Sequence, residues 1–156
     1  ERGEISIRSV ANFQEYWGNP EATAAAFTAD GYFRTGDIGY LDEDGYLFIV
    51  DRKKDIIIRG GENISPGEIE DVMLALPAIA EAAAVAIPSA EWGEAVGLIV
   101  VVRDGHAAPA DEELKQVIRA RLRSSRVPER VLFAKSLPYN EMGKLLRREI
   151  KKLFAA

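Results

Sequence analysis

The chain has 156 residues, 47% of them apolar and 29% charged, an ordinary balance for a globular domain with a core. Its 20 basic and 25 acidic residues leave a formal charge of −5, which argues against a general nucleic-acid surface, and the absence of cysteine excludes disulfides, a thiolate nucleophile and a cysteine metal site. No stretch approaches the ~18–20 continuous apolar residues of a membrane span, and the opening Glu1-Arg2-Gly3-Glu4 is unlike a signal peptide. The chain thus reads as cytoplasmic, with peripheral membrane attachment left open, and as a piece of something longer.

Taken in order, residues 4–10 alternate apolar and polar positions as a strand does. Asn19-Pro20-Glu21 starts a short helix over residues 22–27, which stops near Asp30-Gly31. Residues 32–34, 37–41 and 46–50 are strand candidates, and the turn Asp42-Glu43-Asp44-Gly45 makes a hairpin of the last two. This opening segment is mostly β and too poor in apolar residues to close its own core, so it belongs to the edge of a larger sheet or barrel. The charge cluster Asp51-Arg52-Lys53-Lys54-Asp55 then interrupts two apolar runs, as an exposed crossing between two bodies would. We place the domain boundary there, with residues 1–52 on one side and 53–156 on the other.

After the cluster the pattern changes. Residues 56–58 and Asn63-Ile64 can pair across Gly60-Gly61 as a small hairpin. Ser65-Pro66-Gly67-Glu68 predicts a helix start, with Ser65 as N-cap, Pro66 at the first position and Glu68 closing a capping box. Ile69, Val72, Met73 and Leu76 give that helix its apolar face, and Pro77 ends it. Residues 82–87 and 96–102 read as buried strands, and Asp104-Gly105-His106 turns the chain out. Leu114, Val117, Ile118 and Leu122 mark a helix beginning near Asp111. Residues 130–135 alternate as a strand through Val131 and Phe133, and Leu146, Ile150, Leu153 and Phe154 line a closing helix. The fold class is α+β: a small mixed sheet covered by helices, preceded by a mostly β segment.

Three segments hold residues suited to chemistry. In Phe33-Arg34-Thr35-Gly36-Asp37 the carboxylate of Asp37 can accept hydroxyl hydrogen bonds from a ribose, or can cap its own turn. Arg52 offers a fork for phosphate or ribose oxygens, and Lys54 lies two residues on; a solvated charge run is the usual explanation for such a cluster. Gly60 and Gly61 allow close approach of a thin ligand, or simply turn a hairpin. In Pro138-Tyr-Asn-Glu-Met-Gly-Lys-Leu-Leu-Arg147, Lys144 follows Gly143 at a loop-to-helix junction, where its mobile stem suits a phosphate oxygen or plain solvent. His106 is the one histidine and cannot build a histidine metal cluster, and Trp17 and Trp92 are expected to be packing anchors.

Together, in this order and spacing, these segments resemble the C-terminal portion of the adenylate-forming enzymes, the superfamily of acyl-CoA synthetases, firefly-type luciferases and peptide-synthetase adenylation domains. Gly31-Tyr-Phe-Arg-Thr-Gly-Asp37 resembles the family's ribose-binding segment, and Asp51-Arg-Lys-Lys-Asp55 its interdomain hinge. Arg59-Gly-Gly-Glu-Asn-Ile-Ser-Pro-Gly-Glu-Ile-Glu70 is similar to the loop lining the pantetheine tunnel, and residues 138–147 to the segment of the adenylation lysine. Asn19-Pro20-Glu21-Ala22-Thr23 and residues 53–61 lean towards the fatty-acyl and related acyl-CoA ligases.

The resemblance implies a two-step ligase using ATP, Mg²⁺, a carboxylic acid and coenzyme A. It implies Asp37 on the ribose, Arg52 on the nucleotide, Lys54 as the pivot, Gly60 and Gly61 beside the pantetheine, and Lys144 as the adenylation lysine. The family's phosphate loop, adenine segment and acyl pocket are not among these residues, so the partner implied is the large N-terminal domain, and the chain alone is expected to be inactive. Asn63 stands where some relatives carry an arginine near the CoA phosphate, so that contact is not carried over. Two other readings stay open: delivery to a carrier-protein phosphopantetheine, and a non-catalytic interaction module that keeps the fold.

Overall fold

The computed structural model describes residues 2–155; Glu1 and Ala156, where the two expected domains begin and end, lie outside the described residues. The chain forms two compact units, Glu1–Lys54 and Asp55–Ala156.

The first unit is a three-stranded antiparallel sheet in the order β1-β2-β3, with β1 Gly3–Ile7, β2 Phe33–Leu41 and β3 Leu47–Arg52. Helix α1 (Pro20–Ala26) starts as expected, the Asn19 Oδ1 accepting from the Ala22 N–H at 3.0 Å. The two strand candidates at 32–34 and 37–41 are one strand. Its register against β1 moves from Ser6↔Arg34 to Glu4↔Ile38, so that Thr35, Gly36 and Asp37 all stand opposite Ile5. Gly36 takes φ +73° in this bulge, and the Thr35 hydroxyl donates to the Ile5 carbonyl at 2.9 Å. Strand β3 also runs through Asp51 and Arg52, where the charge cluster was expected to break it. Among the described residues, every buried apolar side chain lies in the second unit, while Leu41, Leu47 and Ile49 of the first are more than half exposed. Trp17 is 95% exposed and anchors no packing in its unit; Phe13, Phe27 and Phe33 form the local aromatic cluster instead, with ring centroids 5.2–5.6 Å apart.

The second unit follows the expected order: β4 (Ile57–Arg59), β5 (Glu62–Ile64), α2 (Pro66–Leu74), β6 (Ile79–Ser89), β7 (Gly93–Val102), α3 (Asp111–Arg121), β8 (Arg130–Ala134) and α4 (Arg147–Leu153). Strand β7 pairs antiparallel with β6 along its length, parallel with β8, and at Gly93 with Arg59 of β4, which makes the sheet mixed. Side chains alternate across β6 and β7 and build two cores. Ala82, Ala84, Ala86, Leu98 and Val100 face Ile69 and Met73 of α2 and Leu114 and Ile118 of α3. Ala83, Val85, Ile99 and Val101 face Leu137, Ile150 and Phe154 on the α4 side.

Three local expectations are corrected. The Ser65 side chain makes no capping bond, and Glu68 leaves the expected capping box because its carboxylate takes the stronger charge-assisted bond from Arg126 at 2.8 Å. Leu153 is 48% exposed, since Ile150 and Phe154 already fill the strip under α4, and Phe133 is 43% exposed on the short strand β8. Gly97 is a packing requirement invisible in periodicity: a Cβ there would meet Ile87 at 2.7 Å and the Phe154 ring at 3.1 Å. Gly97→Ala is therefore expected to cost about 1–3 kcal/mol by overpacking. Urea unfolding of this chain should show a lowered midpoint with an unchanged slope.

Candidate functional site

The bulge in β2 determines where Asp37 points. It sets Asp37 opposite Arg52 of β3, and the Arg52 Nε meets the Asp37 Oδ1 at 2.8 Å. The Asp37 N–H donates to the Thr35 hydroxyl at 3.1 Å, while the carboxylate holds the guanidinium rather than capping its own turn. Two candidates from separate sequence segments are thus one cross-strand ion pair, with the Arg52 side chain 46% exposed and able to meet an anion.

The chain leaves the first unit through a 3₁₀ turn, Lys53–Asp55. The Lys53 Nζ is 2.9 Å from the Glu4 Oε2, and this ammonium, with Arg34 beyond it, holds the Glu4 carboxyl below its ordinary value. Lys54 is exposed and its side chain makes no hydrogen bond or ion pair among the described residues. Asp55, the first residue of the second unit, has its Oδ2 3.7 Å from the Arg147 Nε.

Gly60 and Gly61 are the two central residues of the β4–β5 hairpin, between the paired Arg59 and Glu62. Both have positive φ, +56° and +84°, as a two-residue turn of type I′ requires. Their surroundings differ. A Cβ on Gly60 would meet the Trp92 ring at 2.8 Å, whereas one on Gly61 would meet nothing within 4 Å. A pocket of about 340 Å³ opens here, lined by Arg59, Gly60, Glu62, Trp92, Ser124 and Ser125. The Arg59 guanidinium sits 5.6 Å from the centre of the Trp92 ring and donates to the Ser125 carbonyl at 2.8 Å. Trp92, 42% exposed, is therefore a pocket wall as well as a packing residue. Arg126 fixes the rim by bonding Glu62 and, through its Nε, Glu68 at 2.8 Å.

Lys144 stands on a loop stitched by Asn140. The Asn140 Oδ1 accepts from the Met142 N–H at 3.0 Å and the Lys144 N–H at 2.8 Å, and the Asn140 N–H donates back to the Lys144 carbonyl at 3.0 Å. Gly143 supplies the positive φ, +74°, that lets the chain reverse. Helix α4 begins three residues later than the junction expected at Lys144, with Leu146 at its N-cap position. The lysine is exposed, and its ammonium makes no hydrogen bond or ion pair among the described residues.

Within the second unit the glycine turn and the Lys144 loop are apart. The turn docks at the β6–β7 connection, the Gly60 N–H donating to the Trp92 carbonyl at 3.0 Å. The loop is tied to the start of β6, the Tyr139 hydroxyl donating to the Glu81 carboxylate at 2.7 Å, which raises the Tyr139 pKa above its ordinary value. Residues 81 and 89 of β6 separate the two attachments, roughly 27 Å of strand. Sequence reasoning made Trp92 a packing anchor only and gave no individual role to Arg59, Arg126, Glu70 or Arg147. The density of arginines against acids in 59–70 and 121–130 was the available signal, but their partners are 58–77 positions distant.

Residues 68–144 match the AMP-binding enzyme C-terminal domain. The chain is 41% identical over 99% of its length to a long-chain-fatty-acid–CoA ligase, FadD13, of Mycobacterium tuberculosis, and spans 30% of that relative. It is 44% identical over 97% of its length to a fatty acid–[acyl-carrier-protein] ligase, ScoC, of Streptomyces coeruleorubidus, and spans 29% of it. Among solved structures, ATP-bound MatB from Rhodopseudomonas palustris matches 99% of the chain with a TM-score of 0.93 at 34% identity, the chain covering 30% of it. The chain thus spans about a third of the length of the relatives it matches.

The Glu62–Arg126 pair makes a pH test of the pocket rim. The Arg126 guanidinium, helped by Ser125, holds the Glu62 carboxyl below its ordinary 4.5. A lowered folded pKa stabilises above the unfolded value and loses that contribution as pH falls through the folded one. The stability gap between wild type and Glu62→Gln should therefore be constant from neutral pH down to about 5 and close below about 4.5. Urea midpoints across that range measure it; a gap still at its full width at pH 3 would show that the pair matters by shape and not by charge.

Proposed function

The chain belongs to the family of the AMP-binding enzyme C-terminal domain, and on that premise we propose that it is the C-terminal part of an ATP-dependent acid–thiol ligase. The carboxylate of a substrate acid, by preference a fatty acid, attacks the ATP α-phosphorus and expels pyrophosphate. The thiol of coenzyme A then attacks the acyl-adenylate and releases AMP. The first substrate class is supported by the FadD13 likeness, at 41% identity.

The observation that carries this reading is the unpaired, exposed ammonium of Lys144 on a backbone-ordered loop tied to the end of β6 away from the glycine turn. In the adenylation step Lys144 neutralises charge developing on the α-phosphate and carboxylate oxygens, an electrostatic contribution that needs a positioned and otherwise unoccupied cation. Asp37 accepts the ribose hydroxyls, oriented by its bond to Arg52, whose exposed guanidinium edge meets the nucleotide. The Lys144 loop and the glycine turn are anchored towards opposite ends of β6, so on this reading the two steps use two arrangements of the second unit. The pivot is the 3₁₀ turn at Lys54, next to the division between the units.

In the second step the glycine turn faces the pantetheine. Gly61, with nothing within 4 Å of where a Cβ would stand, leaves room for a chain that narrow. The pocket beside it joins an aromatic face to guanidinium and serine hydroxyls, a chemistry suited to the nucleotide end of coenzyme A. Among the described residues no group of three or more His, Asp or Glu side chains converges on a metal position. The ScoC likeness favours a second acceptor, a carrier-protein phosphopantetheine, which presents the same thiol arm without the nucleotide. Thioester formation with coenzyme A against that with a carrier protein bearing a free phosphopantetheine thiol separates the two.

In the full-length protein, Lys144→Ala should slow ATP–pyrophosphate exchange by roughly 10²–10³ and leave thioester formation from pre-made acyl-adenylate within a few-fold. An equal fall in both halves overturns the assignment. The 156-residue chain alone should give only background exchange.

The pivot has its own test. Lys54→Pro fixes φ near −65° and restricts Lys53, so it should spare adenylation within a few-fold while thioester formation drops sharply. Lys54→Ala, which leaves the backbone free, should be mild in both; damage equal to that of proline would transfer the role from backbone to side chain.

A further inference from the structure

Arg147 lies three positions beyond Lys144 and reaches three separate parts of the unit, Glu70, Ala84 and Asp55. It is the first residue of α4, and its side chain is 20% exposed. Its guanidinium grips Glu70 of α2 with two bonds, Nη1 to Oε1 at 2.6 Å and Nη2 to Oε2 at 3.0 Å. The same Nη1 donates to the Ala84 carbonyl at 2.8 Å, and the Glu70 Oε1 accepts from the Ala84 N–H at 2.8 Å. Ala84 lies on β6, whose only strand neighbour among the described residues is β7. The arginine–glutamate pair therefore takes the place of a missing strand, satisfying both backbone groups of Ala84 on the open edge. The Nε also lies 3.7 Å from Asp55, the last residue of the connecting turn and the first of the second unit.

The Lys144 loop is thus held at two feet. Its incoming foot is Tyr139, bonded to Glu81 at 2.7 Å, and its outgoing foot is Arg147. Between the feet, the Tyr139↔Leu145 bridge and the Leu146 N–H to Pro138 carbonyl bond of 2.8 Å close a stiff hairpin. We infer that Arg147 is a positioning residue for the acid-activating step: its fork on Glu70 and its reach to Asp55 set the direction of the Lys144 loop relative to the base of the unit. This rests on the role given to Lys144 above. The two arms differ in what they require. A loop turned by even 1 Å misplaces the lysine in adenylation, whereas the glycine turn at the far end of β6 is untouched.

Arg147→Lys keeps a positive charge beside Glu70 and Asp55 but loses the planar fork, so the unit stays folded while the loop loses its fixed direction. The experiment uses the full-length protein in four forms: wild type, Lys144→Ala, Arg147→Lys and the double variant. ATP–pyrophosphate exchange, thioester formation from pre-made acyl-adenylate and melting temperature are measured on each. Arg147→Lys should slow exchange roughly 10- to 100-fold, the scale of a 1 Å misplacement, and leave thioester formation within a few-fold. In the Lys144→Ala background it should slow exchange no further, because its effect passes through the lysine. Unchanged exchange, an equal fall in both halves, or a full additive loss in the double variant would each overturn the inference. Should Lys144→Ala itself leave exchange intact, the role of the lysine falls and the inference with it. Slow Lys144→Ala with normal Arg147→Lys removes the inference alone. Tyr139→Phe, which frees the other foot, carries the same test if Arg147→Lys melts too low to assay.

Discussion

One side of the sheet in the second unit ends in β6, and an open strand edge is a hazard unless something covers it. Here the cover is ionic. Glu70 arrives from the helix on one face and Arg147 from the helix on the other, and the two meet around the edge at Ala84. Both side chains are largely buried, at 15% and 20% exposure. Removing one partner of such a pair typically costs about 3–5 kcal/mol, because the survivor is left charged and unsatisfied. The two cores on the faces of β6 and β7 are each closed by helices that this one contact joins. Backbone satisfaction, edge protection and helix registry therefore depend on the same four oxygen and nitrogen atoms.

The chemistry-bearing segments are arranged about that frame, each held by charge rather than by burial. Arg126 gathers Glu62 and Glu68 and so ties the glycine hairpin to the start of α2 and to the turn at Ser124–Arg126. Arg52 and Asp37 hold each other across β2 and β3, on a unit with no buried apolar side chain among its described residues. Pairs of this kind fix direction well and contribute modestly to stability where they are exposed. Lys54 and Lys144 are the exceptions, cations whose side chains make no hydrogen bond or ion pair among the described residues, at a connecting turn and a loop tip where a charge kept available for a ligand is expected.

Much of the second unit was legible because its cores obey simple periods. Ile69, Val72 and Met73 lie on one face of a helix, and the β-branched run ending at Val102 could only be a buried strand. What escaped was set by partners distant in sequence. The single strand β2 exists because β1 absorbs Thr35, Gly36 and Asp37 into a bulge opposite Ile5, and nothing in residues 33–41 announces that. Glu68 has the spacing of a capping box, yet an arginine 58 positions on outbids the local bond. The site candidates were legible as residue types, since TGD, DRKKD, the glycine pair and Gly143-Lys144 each offered a plausible chemistry. Their pairing was not: that Asp37 would face Arg52, or that Gly60 would lie on Trp92, follows only from the strand registers.

The Asn140 side chain has a consequence for timing. Ordering the backbone of a flexible loop costs roughly 1–2 kcal/mol per residue each time it docks. Residues 140–144 have met that cost already during folding, since one amide oxygen and one amide N–H close the loop on itself. On the mechanism proposed above, a lysine that visits a reacting phosphate, departs for a second step and returns on the next turnover then has only its own rotamers to settle, about 2 kcal/mol at most. On that proposal the loop is a preloaded tool on a swinging arm. Its readiness is independent of where the arm happens to be.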